Sequence, residues 1–340
     1  MTPGTPGGPP GRVVVMGAGS IGAFVGGRLA AAGVEVHFVG RPRMLQALRA
    51  QGLTLTDLEA ARVELPAVSL HLHAEPPAVP APVLGLLCVK SPATADAARA
   101  LAAALPAGTP VLSLQNGIGN ADTARAAAPA LHWLRGMVPF NVAELAPGHL
   151  HRGTTGALAA QDDPALAAWA PWFARAGLPL ALHAELRPVQ WAKLLLNLNN
   201  PVNALSGRPL RAQLLDRDYR VVTAALQDEA LAAMAAAGIA PAQITPLPPH
   251  RMPTVLRLPT VLFRVVAARS LKIDANARSS MADDLALGRP TEIDALSGEV
   301  VRLARSVGRA APLNERMVAL LSVPKPKTLA GRELRAALGL

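Results

Sequence analysis

Two short constellations in this 340-residue chain hold side chains suited to proton transfer and substrate binding. In Trp191-Ala192-Lys193-Leu194-Leu195-Leu196-Asn197-Leu198-Asn199-Asn200-Pro201, Lys193 and Asn197 stand at i,i+4 and so share one face of a helix. Leucines occupy the neighbouring positions. A lysine desolvated among them has a lowered pKa and serves as a proton donor near neutrality. The same spacing equally fits a lysine whose stem lies along the helix with its ammonium in water. Farther on, Arg278-Ser279-Ser280-Met281 precedes Arg289-Pro290-Thr291-Glu292-Ile293-Asp294. Thr291 and Asp294 have the spacing of a capping box, with Asp in place of the usual Glu or Gln, which puts Glu292 in the first turn of the next helix. A carboxylate there complements the helix dipole, so Glu292 has a structural reading beside a functional one.

Near the N-terminus, Gly17-Ala18-Gly19-Ser20-Ile21-Gly22 is a GxGxxG run. Its context makes it specific, because it follows a short apolar run and opens a stretch of helical composition. The first glycine permits a tight turn, the second lets backbone approach a pyrophosphate, and the third lets helix and strand pack closely. The helix N-terminus then attracts the phosphate charge. An NAD site usually has Asp or Glu about 20 residues on, bonded to the ribose 2′-hydroxyl. Gly40-Arg41 stands there instead. A guanidinium pairs with a 2′-phosphate by parallel hydrogen bonds, so Arg41, helped by Arg43, points to NADP.

These residues need a scaffold, and the pattern around them supplies one. Arg12–Met16 is a β-branched apolar run that breaks into glycine, Ile21–Ala32 is small and apolar without proline, and Gly33 precedes the alternating Val34–Val39. Residues 82–89 and 110–114 are further strand candidates, separated by an alanine-rich helical stretch from Ala93 to Ala104. Alternating strand and helix predicts an α/β fold, an N-terminal Rossmann domain with a doubly wound, mostly parallel sheet. From about Pro188 the pattern turns to long helices (Trp191–Asn200, Tyr219–Ala237, Glu292–Val307), which predicts a C-terminal all-helical domain. The Pro-rich stretch from Pro241 to Pro259 reads as a loop or irregular crossing. The expected division is a disordered tail over 1–10, an NADP-binding Rossmann domain over 11–185, a helical substrate and dimerisation domain over 186–325, and a C-terminal tail over 326–340. His149 and His151 read as loop residues.

Composition narrows the function classes. Hydrophobic residues make up 51% of the chain and charged residues 16%, enough apolar material for packed cores. No run approaches the ~20 apolar residues of a membrane span, and the N-terminus lacks the basic and apolar regions of a secretory signal. With one cysteine, Cys88, and no His-rich or Cys-rich spacing, no metal centre or disulfide is expected, and a cytoplasmic location is the default. The net charge of +10 raises nucleic acid as a partner, but the arginines are scattered and no basic stripe is interleaved with aromatics. A basic surface also suits an enzyme whose cofactor and substrate are both anions.

Taken in order, GxGxxG, Gln115-Asn116-Gly117 after a strand, the Lys193/Asn197 helix, Ser279-Ser280-Met281 and Thr291-Glu292-Ile293-Asp294 resemble the ketopantoate reductase family, from about Arg12 to about Leu320. The resemblance implies reduction of 2-dehydropantoate to (R)-pantoate with NADPH, on the way to pantothenate and coenzyme A, in a cleft between the two domains. It implies that Lys193 is the general acid, that Glu292 orients the substrate hydroxyl and influences the lysine, and that Ser280 lies near the carboxylate. Asn116 is expected where cofactor and substrate meet, Asn197 in the substrate pocket and Lys90 near the cofactor. One departure stands out: many members carry a second pocket asparagine four residues after the first, where this chain has Pro201, with Asn199, Asn200 and Asn203 close by. A reductase of another small 2-oxo acid is the alternative, since a pocket discriminates by only ~1–3 kcal/mol per methylene. A non-catalytic NADPH-binding sensor is a third reading. The Leu- and Ala-rich helical domain has the composition to supply a homodimer surface.

Overall fold

The computed structural model describes residues 8–268 and 277–340. Of the expected tail over 1–10, residues 1–7 lie outside the described residues. The chain divides into two compact units, Met1–Leu186 and Arg187–Leu340.

In the first unit, β1 (Arg12–Met16) runs through the glycine turn into α1 (Ser20–Ala31), and β2 (Glu35–Val39), α2 (Pro42–Gln51), β3 (Leu53–Asp57), β4 (Arg62–Leu65) and β5 (His71–His73) follow. Then come β6 (Val83–Leu87), α3 (Thr94–Ala104), β7 (Pro110–Ser113), α4 (Asn120–Ala127), β8 (His132–Met137), β9 (Val142–Ala146), β10 (His149–Arg152), β11 (Leu158–Gln161), α5 (Ala170–Arg175) and β12 (Leu180–His183). The main sheet has eight strands in the order β12-β11-β8-β7-β6-β1-β2-β5, parallel except where β11 meets β8. This is the mostly parallel, doubly wound sheet that the alternation predicts. Val13, Val14 and Val15 are fully buried because a central parallel strand is covered on both faces.

A second sheet, β4-β3-β10-β9, was not legible in the local pattern. Its apolar side, with Leu53, Leu55 and Leu150, joins the core that also buries α1. His149 and His151 are therefore not loop residues. They lie on β10, two positions apart on one face, and both rings meet the Thr56 hydroxyl, at 3.1 and 2.9 Å. The parallel pairing of β10 with β3 joins segments far apart in sequence, which a periodicity window does not see.

The second unit is all-helical among its described residues: α6 (Arg187–Asn197), α7 (Asn199–Ser206), α8 (Leu210–Leu215), α9 (Arg217–Ala236), α10 (Met252–Arg257), α11 (Thr260–Val266), α12 (Ser280–Ala286), α13 (Ile293–Ser306), α14 (Pro312–Leu321) and α15 (Gly331–Leu338). The long α9 is its axis, and α7, α8, α10, α13, α14 and α15 pack on it.

Four expectations change here. The helix expected from Trp191 to Asn200 breaks after Asn197, because Pro201 has no N–H to donate to the Asn197 carbonyl and its ring crowds that turn. The stretch 241–259 is not wholly irregular, since α10 forms within it, with Pro253 in the first turn where a missing N–H costs nothing. Residues 326–340 are not a tail: α15 buries Leu334 and Leu338 completely, Tyr219 donates from its hydroxyl to the Leu329 carbonyl at 2.8 Å, and Arg335 pairs with Asp218 at 2.8 Å. The capping box at Thr291 does not form. α13 starts at Ile293, and Glu292 is itself the flanking residue, with no side-chain cap.

No helix among the described residues is long and apolar enough to cross a membrane, and no group of three or more His, Cys, Asp or Glu among them could hold a metal ion.

Candidate active site

Backbone shape builds the dinucleotide turn. Gly17 has φ +104, a conformation that L side chains rarely adopt, and a Cβ there would lie 2.6 Å from the Val89 nitrogen. A Cβ at Gly22 would collide with the Gly17 carbonyl and come within 3.0 Å of the Cys88 Cβ, so the close approach of α1 to the strand ends requires glycine. Gly19 is the opposite case. It is exposed, and a Cβ built on it meets nothing within 4 Å. No side chain caps α1, and its first turn holds no acid. Open space over an uncapped helix N-terminus is what a pyrophosphate needs, so Gly17, Ala18, Gly19, Ser20, Ile21 and Gly22 fit a dinucleotide. Burial pushes the Cys88 thiol up to about 12, which keeps it inert behind this turn.

At the end of β2, the Gly40 N–H donates to the His73 carbonyl at 3.1 Å, and Arg41 follows, exposed, as the residue that enters α2. Arg43 is committed elsewhere: it makes two hydrogen bonds to the Glu144 carboxylate, at 3.0 and 2.7 Å, and that pairing raises its pKa. Of the two arginines, it is Arg43 that Glu144 holds, while Arg41 is exposed beside the end of β2. Lys90 follows β6 and Asn116 follows β7, both half-buried, on loops at the carboxyl ends of adjacent parallel strands. Ligands of open α/β sheets bind outside such ends.

In the helical unit, Lys193 and Asn197 lie on one face of α6 between Trp191, Leu194, Leu195 and Leu198, all buried. Lys193 keeps part of its surface accessible, and burial pushes its ammonium down to about 8. Asn197 is buried.

Ser280 is the exposed first residue of α12. Its position is set by neighbours that local patterns do not assign. Ser279 caps the helix, its hydroxyl accepting from the Ala282 N–H at 3.2 Å and donating to the Asn200 carbonyl at 3.3 Å. Asn203, fully buried, accepts the Ser279 N–H at 2.9 Å and donates to the Arg208 carbonyl at 3.0 Å. Asn199 exchanges bonds with Gln213 at 3.2 and 3.1 Å and accepts from Thr223 at 3.0 Å, which ties the start of α7 to α8 and α9. The asparagine-rich sequence around Pro201 therefore anchors α7 and α12. Glu292 stands half-buried at the mouth of α13, where its carboxylate is not spent on capping.

Comparison with known proteins places both units. Residues 13–164 match the family described as Ketopantoate reductase PanE/ApbA, and residues 185–325 match Ketopantoate reductase PanE/ApbA C terminal. A 2-dehydropantoate 2-reductase of Halobacterium salinarum is 33% identical over 310 residues, 89% of this chain and 95% of that protein. One of Pyrococcus horikoshii is 27% identical over 91% of this chain and 96% of its own length. A PanE/ApbA family ketopantoate reductase from Ralstonia eutropha has the same fold, with TM-score 0.77 and 32% identity over 92% of this chain and 98% of that one. A D-mandelate dehydrogenase solved with NADH and anilino(oxo)acetate shares the fold at TM-score 0.73 and 19% identity, covering 97% and 100%. With both units matched in order and a relative this similar across almost its whole length, the chain belongs to the ketopantoate reductase family.

Proposed function

We propose that the chain is an NADPH-dependent oxidoreductase that reduces 2-dehydropantoate to (R)-pantoate, a step toward pantothenate and coenzyme A. The observation that carries the reading is Lys193, an ammonium desolvated to about 8 on the helix face it shares with Asn197, in a chain whose relatives are named for this reaction. The cofactor is read as NADPH because the turn at Gly17–Gly22 fits a pyrophosphate and Arg41 offers a guanidinium, with no acid, where a 2′-phosphate would lie. Lys90 and Asn116 would complete the cofactor side. The nicotinamide, when bound, supplies the hydride to C2 of the substrate.

Lys193 delivers the balancing proton from Nζ to the carbonyl oxygen, which becomes the hydroxyl of the product. A lysine at about 8 is largely protonated at neutral pH and gives up its proton far more readily than an ordinary one, and its charge stabilises the developing alkoxide. Asn197 and Asn116 contact the substrate, Ser280 binds its carboxylate and Glu292 orients its hydroxyl group.

A second reading keeps the chemistry and changes the acid. Pro201 ends α6 just beyond Asn197, so the side chain that many members place four residues on is replaced by a helix break. That favours attention to other small 2-oxo acids. The test is NADPH oxidation, followed by absorbance, with 2-dehydropantoate beside pyruvate, 2-oxoisovalerate and oxaloacetate, repeated with NADH. A kcat/KM for 2-dehydropantoate with NADPH that exceeds every other pair supports the first reading. A higher value for another acid moves the assignment to that acid, and no turnover of any acid removes the reductase reading.

A further inference from the structure

Between the cofactor loops lies a chain of buried polar side chains to which no role has been given above. The Ser113 hydroxyl donates to Gln115 Oε1 at 3.0 Å. The two N–H bonds of the Gln115 amide go to the Val89 carbonyl at 2.9 Å and to Thr94 Oγ1 at 2.7 Å. Thr94 passes its own proton to Asn120 Oδ1 at 3.1 Å, and Asn120 Nδ2 donates to the Asn116 carbonyl at 2.6 Å. Thr94 is fully buried, and Ser113, Gln115 and Asn120 are each less than a tenth exposed.

Each donor in this chain can point only one way. Reversing the Gln115 amide would set its oxygen against the Val89 carbonyl, and reversing Asn120 would do the same against Asn116. Buried networks in which every member is satisfied hold a single arrangement. The ends of this one are informative. Val89 is the residue before Lys90, and the other terminus is the main chain of Asn116 itself, while Thr94 and Asn120 are the first residues of α3 and α4. The network therefore clamps together the two loops at the ends of β6 and β7.

We propose that Gln115, Thr94 and Asn120 are positioning residues that hold the Lys90 and Asn116 loops in register for NADPH. The proposal rests on the functional reading above, in which those loops face the cofactor. None of the three needs to touch it.

The measurement is the dissociation constant for NADPH, by fluorescence titration, together with kcat, KM and Tm, for Thr94→Val, Thr94→Ser and Asn120→Asp. Valine keeps the shape of threonine and removes both hydrogen bonds, so NADPH affinity should fall about tenfold or more, since small misplacements at a site carry large penalties. Serine restores the hydroxyl and should return affinity to within about threefold of the parent chain. Asn120→Asp, which loses the donor to Asn116, should behave like Thr94→Val. The clamp is overturned if Thr94→Val binds NADPH as the parent does, or if Thr94→Ser is as weak as Thr94→Val. It is also overturned if the loss of affinity only follows the fraction unfolded. Lys90→Ala and Asn116→Ala separate the two claims: if these bind NADPH and turn over normally, the roles given to those side chains fail, while the Thr94 pair still decides the clamp.

Discussion

In the α/β unit the turn from β1 to α1 is held by the shape of the backbone, whereas in the helical unit the segment carrying Ser280 is held by side chains. Gly17 and Gly22 leave no room for even a methyl group, and nothing there is adjustable. Around α7 and α12, by contrast, side chains reach across helices: Asn199 bonds with Gln213, Asn203 accepts from the Ser279 N–H, and the Ser279 hydroxyl donates to the Asn200 carbonyl. A phosphate needs a fixed set of N–H donors at a helix end, which backbone alone can build. A small 2-oxo acid needs particular polar groups at particular places, and those must be carried on side chains that are themselves positioned.

The largest expected effect breaks the chemistry without touching either scaffold. Lys193→Met should lower kcat by ~10²–10⁴, the usual worth of a general acid, with NADPH affinity kept. Its Tm should hold or rise at neutral pH. The folded state releases this proton near pH 8, against 10.5 for an ordinary lysine, so it binds fewer protons than the unfolded chain between those values and stability rises with pH through that window. Methionine removes the desolvated charge altogether. In the parent enzyme, kcat/KM should fall as pH rises past about 8, because the proton to be donated is lost. A flat profile to higher pH would assign the proton to another group.

The next pair sharpens the contrast inside the turn. Gly22→Ala overpacks the junction of α1 and β1 and should cost ~1–3 kcal/mol of stability along with NADPH binding. Gly19→Ala meets no protein atom, so Tm should stay near that of the parent while NADPH binding weakens, the methyl lying where the pyrophosphate approaches. Equal Tm losses for both would show that Gly19 is structural rather than a ligand contact.

Asn203→Ala probes the other scaffold. It removes the acceptor for the buried Ser279 N–H and should cost about 1–3 kcal/mol. Because the strain falls on Ser280, KM for the 2-oxo acid should rise several-fold while the dissociation constant for NADPH stays unchanged. If both constants move together, the helical unit is failing as a whole and the comparison above is wrong.

Arg41→Ala should have the smallest effect, since the side chain is exposed and its interaction screened. KM for NADPH should rise about two- to threefold, the worth of an exposed, screened ion pair, with little change for NADH. An equal change for both cofactors would remove Arg41 from 2′-phosphate recognition.

Much of the first unit was readable without coordinates, because its signals are local. β1, α1 and β2 follow from apolar runs broken by glycine, and the GxGxxG spacing requires only its own backbone to make sense. The helical unit was readable as helical, and the face shared by Lys193 and Asn197 follows from the period of a helix. Beyond that, sequence alone left choices open. It did not say whether the Lys193 ammonium sits in water or among apolar groups, since that depends on what packs around α6. Nor did it show that residues 331–338 fold back onto α9, that β3 and β10 pair to make a second sheet, or that Thr94 and Asn120 meet. These features join segments tens of residues apart. Their hydrogen bonds are satisfied only when the chain is compact, and so only the tertiary structure decided them.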